Sequence, residues 1–416
     1  MRGFAKQSRN YLRPVVVQQL SLHRFGIASQ GLAMTGNKYM KVIILGSAHP
    51  LRGGLASYNE RLAREFVRQG HSVQIYTFSL QYPSFLFPGT SQYSDQPAPD
   101  DLYIHVKVNS INPLNWLKVG KEIAKLNADL MIVKFWLPFM GPCLGTISRI
   151  VRKNKKTKVI AIIDNIIPHE KRIGDFQLAQ YFANSVDGFI AMSDSVLVDL
   201  QKFDTQKPKV FSPHPLFDNF GEAIKKTEAY EKLGLEINTE YILFFGFIRD
   251  YKGLDLLLRV MADDRVRNLN IRLIVAGEFY KDPKPYWDLI TELNIADKLI
   301  MRTNFIPDDE VRNYFCAADI VVQPYKHATQ SGVTQICYHF DRPMLVTNVG
   351  GLPEIVPNGK VGYVVEPEPK AIADALVDFY TNHREFKMRD NIKLEKKKYA
   401  WSEMLNRIFE MYQQIK

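Results

Sequence analysis

The 416-residue chain is predicted to be an α/β protein of two tandem Rossmann-like domains, each a doubly wound parallel sheet, facing a central cleft. Three observations carry that expectation. Short apolar runs rich in β-branched residues alternate with segments of helical periodicity, which is the pattern of crossover units. The alternation pauses near residue 215 and then begins again. The length also exceeds what one hydrophobic core usually serves.

In the first half, KVIILG (41–46) is apolar throughout, as a strand buried on both faces must be. The loop HPLRGG leads into LASYNERLAREFVRQG, where Leu55, Tyr58, Leu62 and Phe66 share helical spacing and Gly70 supplies a stop. Further strands are read at 72–78, 101–108, 129–136, 158–164 and 187–193, with helices at 115–127 and 193–203. In the second half, strands are expected at 241–248, 271–278, 299–306, 319–325, 343–349 and 361–367. Leu254, Leu257, Leu258 and Met261 mark one face of a helix between them. The domains are accordingly 40–215 and 239–399, joined by a linker, 216–238, that mixes proline, glycine and charge. Residues 400–416 form a last helix, with Trp401, Met404, Ile408 and Met411 near one face, expected to cross back onto the first domain.

The net charge of +10 invites a nucleic-acid or membrane reading, but its distribution argues against nucleic acid. Residues 1–39 hold six cations and no acid, so they supply +6 and leave +4 for the rest. That segment is placed outside the fold, as an alternative start ahead of Met40 or as a targeting extension. Three widely spaced cysteines without a CxxC pair fit a reducing, cytoplasmic setting and neither a disulfide framework nor a zinc site. The longest apolar run, Phe135 to Ser148, is 14 residues with two prolines, too short to span a bilayer and better read as a strand end plus a core helix. RIVRKNKKTK (149–158) carries six cations in ten residues. A solvated helix end is the plainer reading, and peripheral attraction to anionic lipid at the inner face of a membrane is the functional one.

Several chemistry-bearing residues fall at the carboxyl ends of predicted strands, where such sheets bind ligands. Gly53 and Gly54 open the first helix, so their backbone can approach an anion closely. There is no GxGxxG and no clear acid ending the second strand, which counts against a nicotinamide dehydrogenase. In IRDYKG, Arg249 and Lys252 follow the first strand of the second half and lead into a helix, a suitable clamp for a diphosphate. Glu278 ends IRLIVAGE on the same rim, and GGLPEIV puts Gly350 and Glu354 after another strand. Between two apolar runs lies HATQSGVTQ (327–335), a small, hydroxyl-rich loop with no carboxylate. Its Ser331, Gly332, Val333 and Thr334 are candidates to offer N–H groups and hydroxyls to a ligand.

FGFIRDYKG, VAGE, the small-residue loop before DRPMLVTNVGGLPEIV, and NGKVGYVVEP together resemble the C-terminal half of family 4 GT-B glycosyltransferases. GGLASYNERLAREFVRQGHSV resembles the opening of the same family, and the likeness runs in order from Met40 to about Tyr399. It implies a retaining, metal-independent transfer of a hexose from a nucleotide diphosphate sugar, with no cofactor, to a carbohydrate or lipid-linked hydroxyl acceptor. Surface polysaccharide or glycolipid synthesis is the implied setting. Arg249 and Lys252 would hold the departing diphosphate, and His169 in DNIIPHE, with Glu170 as the neighbouring alternative, would face the transferred sugar. The family usually carries two glutamates with seven residues between them. Here those positions fall on His327 and Gln335, so a neutral amide would meet the nucleotide ribose and the choice of sugar does not carry over. The lost carboxylates leave two other readings open, a non-catalytic binding homologue and a nucleotide-sugar epimerase on the same scaffold.

Overall fold

The computed structural model describes residues 39–83, 92–94, 96–168, 172–328 and 331–415. The first sheet contains β1 (Lys41–Leu45), β2 (Ser72–Leu80), β3 (Ile104–Asn109), β4 (Leu130–Phe135), β5 (Lys158–Ile163), β6 (Gly188–Ala191) and β7 (Lys209–Phe211). The second contains β8 (Glu240–Phe245), β9 (Ile271–Ala276), β10 (Leu299–Arg302), β11 (Ile320–Gln323), β12 (Met344–Thr347) and β13 (Gly362–Val365). Their orders are 3-2-1-4-5-6-7 and 10-9-8-11-12-13, and every pairing is parallel. Each is a doubly wound Rossmann-like sheet, as the alternation of strand and helix predicted.

Parallel strands carry apolar residues on both sides because crossover helices cover both faces. In the first domain, helices Pro113–Lys125, Gly141–Arg152 and Asp175–Ala183 cover one face, burying Ile123, Leu144, Ile147 and Phe182. Among the described residues, two long helices cover the other face, Gly54–Arg68 and Trp401–Gln414. The last helix returns from the second domain to lie over β5 to β7, where Met404, Leu405, Ile408 and Met411 join one cluster with Ile160, Ile162 and Ile190. At the crossing, the Leu216 N–H donates to the Tyr399 carbonyl (3.0 Å) and the Trp401 indole N–H to the Leu216 carbonyl (3.0 Å).

The expected linker is partly core. Lys226–Leu233 is a helix whose Ala229 and Tyr230 are buried in the second domain, and Lys226 pairs with the buried Asp319. Its charge-rich sequence hid a short amphipathic stripe. The Asp175–Ala183 helix and β7 also went unrecognised, being short and bordered by loop-like composition. The extension at 1–39 lies outside the described residues except for Tyr39, which is exposed.

The basic stretch at 149–158 is mostly engaged. Arg149 stacks on Tyr181 (3.7 Å), Arg152 pairs with Asp187 (2.6 Å), and Lys156 with Asp129 (3.6 Å). Lys158 donates to the Tyr412 and Ile415 carbonyls of the returning helix (3.1 and 2.6 Å). Among the described residues, no helix is long and apolar enough to cross a membrane.

The returning helix should be structural for the first domain. Ile408→Ala is expected to cost about 2–5 kcal/mol in a urea unfolding curve, as buried branched side chains do. Removal of residues 400–416 should yield aggregated chain instead of a folded, inactive one.

Candidate functional site

Strand order reverses between β1 and β4 in one sheet and between β8 and β11 in the other. Ligands of open α/β sheets lie outside the carboxyl ends at such switch points. The residues predicted from the second half gather at the β8/β11 switch. Arg249 and Lys252 bracket a single turn, Asp250–Lys252. Behind it, Gly253 has φ +69° and lies so near β11 that an added Cβ would sit 1.9 Å from the Pro324 carbonyl oxygen. No larger residue fits there. The Ile248 N–H donates to the Glu278 carbonyl (2.7 Å) and the Tyr280 N–H to the Ile248 carbonyl (3.0 Å). Glu278 therefore shares the rim with Arg249, whose guanidinium lies 3.9 Å from the Tyr280 ring centroid.

Lys326 neutralises Asp250 and Asp255 (3.0 Å each), and no described carboxylate forms an ion pair with Arg249 or Lys252. Burial, reinforced by the Arg249 charge, pushes the Lys252 ammonium down to about 8. Its Nζ stands 5.7 Å from the Tyr325 ring centroid, and the Tyr325 hydroxyl is 3.3 Å from Ser331 Oγ. Tyr325 thus connects the cationic turn to the small-residue loop.

Within that loop the structure turns some candidates inward. Ser331 caps helix Gly332–His339, its Oγ accepting from the Val333 N–H (3.3 Å). The Thr334 hydroxyl donates to the Ser331 carbonyl (2.6 Å), and the Val333 side chain is in the second core. Val333 and Thr334 therefore stand in the first turn of this helix with their side chains buried, and a helix start is where backbone N–H groups lack intrahelical partners. Gly332 remains on the cleft wall beside Phe217. Gln335, one turn further, is 2% exposed and lines the cleft, yet among the described residues neither amide atom has a partner. His327 is exposed and is not part of the cleft lining. His169 and Glu170 lie outside the described residues.

The cleft between the domains has a volume of about 360 Å³. Gly54, Lys134, Asp164 and His214 line it from the first domain and the crossing segment. Ser331, Gly332, Gln335 and Ile355 face them from the second. Gly53, with φ +101°, caps helix Gly54–Arg68 and lines an adjoining cavity of about 230 Å³ with Arg52 and Glu60. The glycine pair therefore stands on the first domain's wall, across from Ser331. Glu354 has its carboxyl raised by desolvation and by the charge of Asp194, which reaches it from the other domain. A further cavity of about 370 Å³, lined by Lys226, Tyr230 and Glu240, opens at the amino end of β8, the wrong end of the sheet for a switch-point ligand.

Three cleft residues escaped sequence reading. Lys134 sits inside β4 and is 1% exposed, its Nζ 2.7 Å from Asp164 Oδ1. The signal was visible: a lone cation within the apolar run DLMIVKFW. Asp164 directly follows β5, five residues before the histidine that drew attention instead. His214 Nδ1 lies 2.7 Å from the Pro215 carbonyl, and burial, with the nearby Lys134 charge, pushes its imidazole down to about 4. Among the described residues, no cluster of His, Cys, Asp and Glu is placed to hold a metal ion.

Gly253→Ala is expected to destabilise the chain by about 1–3 kcal/mol, since strain and a backbone collision combine there. Chemical unfolding measures that cost, and the Lys252 turn should shift with it.

Two family models match the chain side by side. The one described as Glycosyltransferase Family 4 matches residues 52–213, and the one described as Glycosyl transferases group 1 matches 239–382. A D-inositol 3-phosphate glycosyltransferase of Corynebacterium urealyticum is 24% identical over 265 residues, 61% of this chain. The match likewise spans only 61% of that relative's length. An uncharacterized glycosyltransferase of Methanocaldococcus jannaschii is 25% identical over 400 residues, 90% of this chain and 98% of that one. Among solved structures, Anabaena HepE in complex with UDP superposes with a TM-score of 0.67 at 15% identity, covering 90% of this chain and 100% of that one. At that identity the likeness is one of fold.

Proposed function

The chain belongs to the family 4-like GT-B glycosyltransferases, and on that premise we propose that it moves a hexose from a nucleotide diphosphate sugar to a hydroxyl acceptor, with retention and without a metal. The observation that carries the reading is the cationic turn at the β8/β11 switch. Arg249 and Lys252 have no counter-charge among the described residues, and they stand beside a glycine-backed loop and a capped helix start. Breaking the glycosidic bond leaves negative charge on the diphosphate. Two fixed cations in a partly dry site stabilise that charge as a divalent ion does elsewhere. Ser331 and Gly332 would flank the same donor, with the neutral Gln335 amide where relatives usually place a carboxylate. HepE, solved with UDP and with UDP-glucose, supports a nucleotide-sugar donor. His169 keeps its proposed place toward the transferred sugar.

Surface polysaccharide or glycolipid assembly is the proposed setting, with the chain cytoplasmic and peripheral to the inner membrane face. Ile111, Leu114 and Leu117 are exposed beside Lys118, Lys121 and Lys125, which suits an anionic lipid surface better than the engaged stretch at 149–158. Co-sedimentation with anionic liposomes should be strong at low salt and fall at high salt.

A thermal-shift series with UDP, GDP, ADP and their sugars identifies the donor. Arg249→Ala should then weaken nucleoside diphosphate binding by about 10- to 100-fold, as loss of a charge-assisted contact does. In the free protein Lys252 loses its proton above about pH 8, whereas a bound diphosphate favours the charged form. Affinity should therefore decline as pH rises through that value, and binding near pH 9 should take up protons. Calorimetry in two buffers of different ionisation enthalpy measures the uptake, and Lys252→Arg should abolish it. Saturable binding without turnover would instead mean a non-catalytic homologue, and interconversion of the free donor an epimerase.

A further inference from the structure

The cleft wall of the first domain carries a charged pair that the donor reading does not use. Lys134 lies on the same side of β4 as Leu130 and Ile132, beneath helix Gly54–Arg68 and its Tyr58. Its ammonium is 3.7 Å from the centroid of the Tyr58 ring, 3.0 Å from Met192 Sδ and 2.7 Å from Asp164 Oδ1. Burial depresses this lysine's pKa, and the Asp164 charge opposes that shift. Asp164 itself is 23% exposed and opens onto the cleft. The lysine is thus wholly sheathed and the carboxylate presented.

An ion pair in a core is a poor stabiliser, since a well-packed apolar residue would serve the fold as well or better. Its placement at the switch point of the sheet points to a ligand. The surrounding wall is neutral and rich in hydrogen-bonding groups. Asn165, Ser193 and Ser195 lie beside Asp164, and His214 is held in its uncharged form. Across the cleft stands the Gln335 amide, buried and with both polar atoms unpartnered among the described residues. Among the described lining residues Lys134 is the only cation, and Asp164 already balances it. A phosphate or carboxylate entering here would meet a carboxylate with no free cation to offset it. A hydroxyl would meet an acceptor ready for its proton.

We propose that Asp164, backed by the buried Lys134, accepts a hydrogen bond from a hydroxyl of a neutral, polyhydroxylated acceptor in the cleft and thereby sets the acceptor class. The inference rests on the glycosyl-transfer reading. Asp164 contacts the substrate, and Lys134 is a positioning residue that acts through it. The carboxylate orients the hydroxyl and takes no proton from it.

The test uses the full chain as wild type, Asp164→Asn, Lys134→Met and the double variant. UDP, GDP and ADP are titrated into each by calorimetry, and thermal unfolding is recorded. Nucleoside diphosphate release from the matching sugar is then followed with glycerol, myo-inositol and glucose, and with their monophosphates. Diphosphate affinity should stay within about twofold throughout, because that site lies on the other sheet. In wild type the neutral polyols should accelerate release more than their phosphates do. Asp164→Asn and Lys134→Met should lower the polyol-dependent rate by about 100-fold, the scale of a lost orienting contact. The double variant removes both charges together and should regain the wild-type unfolding temperature while remaining slow. Wild-type release that neutral polyols fail to accelerate beyond their phosphates would overturn the proposal, as would full activity in Asp164→Asn. Recovery of rate alongside stability in the double variant would make the pair merely structural and also overturn it. Wild type that binds none of the three diphosphates would overturn the donor reading, and this inference with it.

Discussion

The covering of the first sheet is the constraint on which the rest of the molecule depends. A parallel sheet exposes apolar side chains on both faces, and each must be shielded. On one face the first domain's own long helix, Gly54–Arg68, is not sufficient, and the last helix of the chain completes the cover. The chain therefore passes between domains twice, at Leu216 and at Tyr399–Trp401, and the two passages are hydrogen-bonded to each other. This double crossing forms the back of the cleft. It places His214 and Phe217 against the substrate space.

On either side of that crossing the two walls differ in electrostatic character. The second sheet contributes cations with no counter-charge among the described residues, Arg249 and Lys252, on a turn that Gly253 presses against β11. The first contributes a balanced pair, Lys134 and Asp164, with hydroxyls and a neutral histidine around it. A cationic wall suits a diphosphate, and a neutral wall suits a sugar hydroxyl. Such a division of labour lets one cleft hold a highly charged donor and an uncharged acceptor without either site competing for the other's ligand. Gln335 fits the same logic, because an amide adds hydrogen-bonding capacity without adding charge.

Much of the fold was legible in the chain, because hydrophobic periodicity is a local property. KVIILG, KVIAIID and YILFFGFI announce doubly covered strands, and strands alternating with helices admit little besides parallel sheets. The cationic turn was legible for the same reason, since a strand followed by IRDYKG and a helix puts its charges at the carboxyl edge. The helix at Lys226–Leu233 was not, because eight residues rich in charge show too little periodicity to separate them from a linker.

What the sequence by itself determined is therefore the order of elements and the rim on which candidate residues stand. Tertiary structure alone decided which of those residues face the substrate space. The side chains of Val333 and Thr334 turn inward, Val333 into the second core and the Thr334 hydroxyl onto the Ser331 carbonyl. Lys134 and Asp164 are 30 residues apart on neighbouring strands, and only the register of β4 against β5 brings ammonium and carboxylate to 2.7 Å. Periodicity reports which face a side chain takes, but contact between strands depends on how the sheet is assembled, and that information is not local.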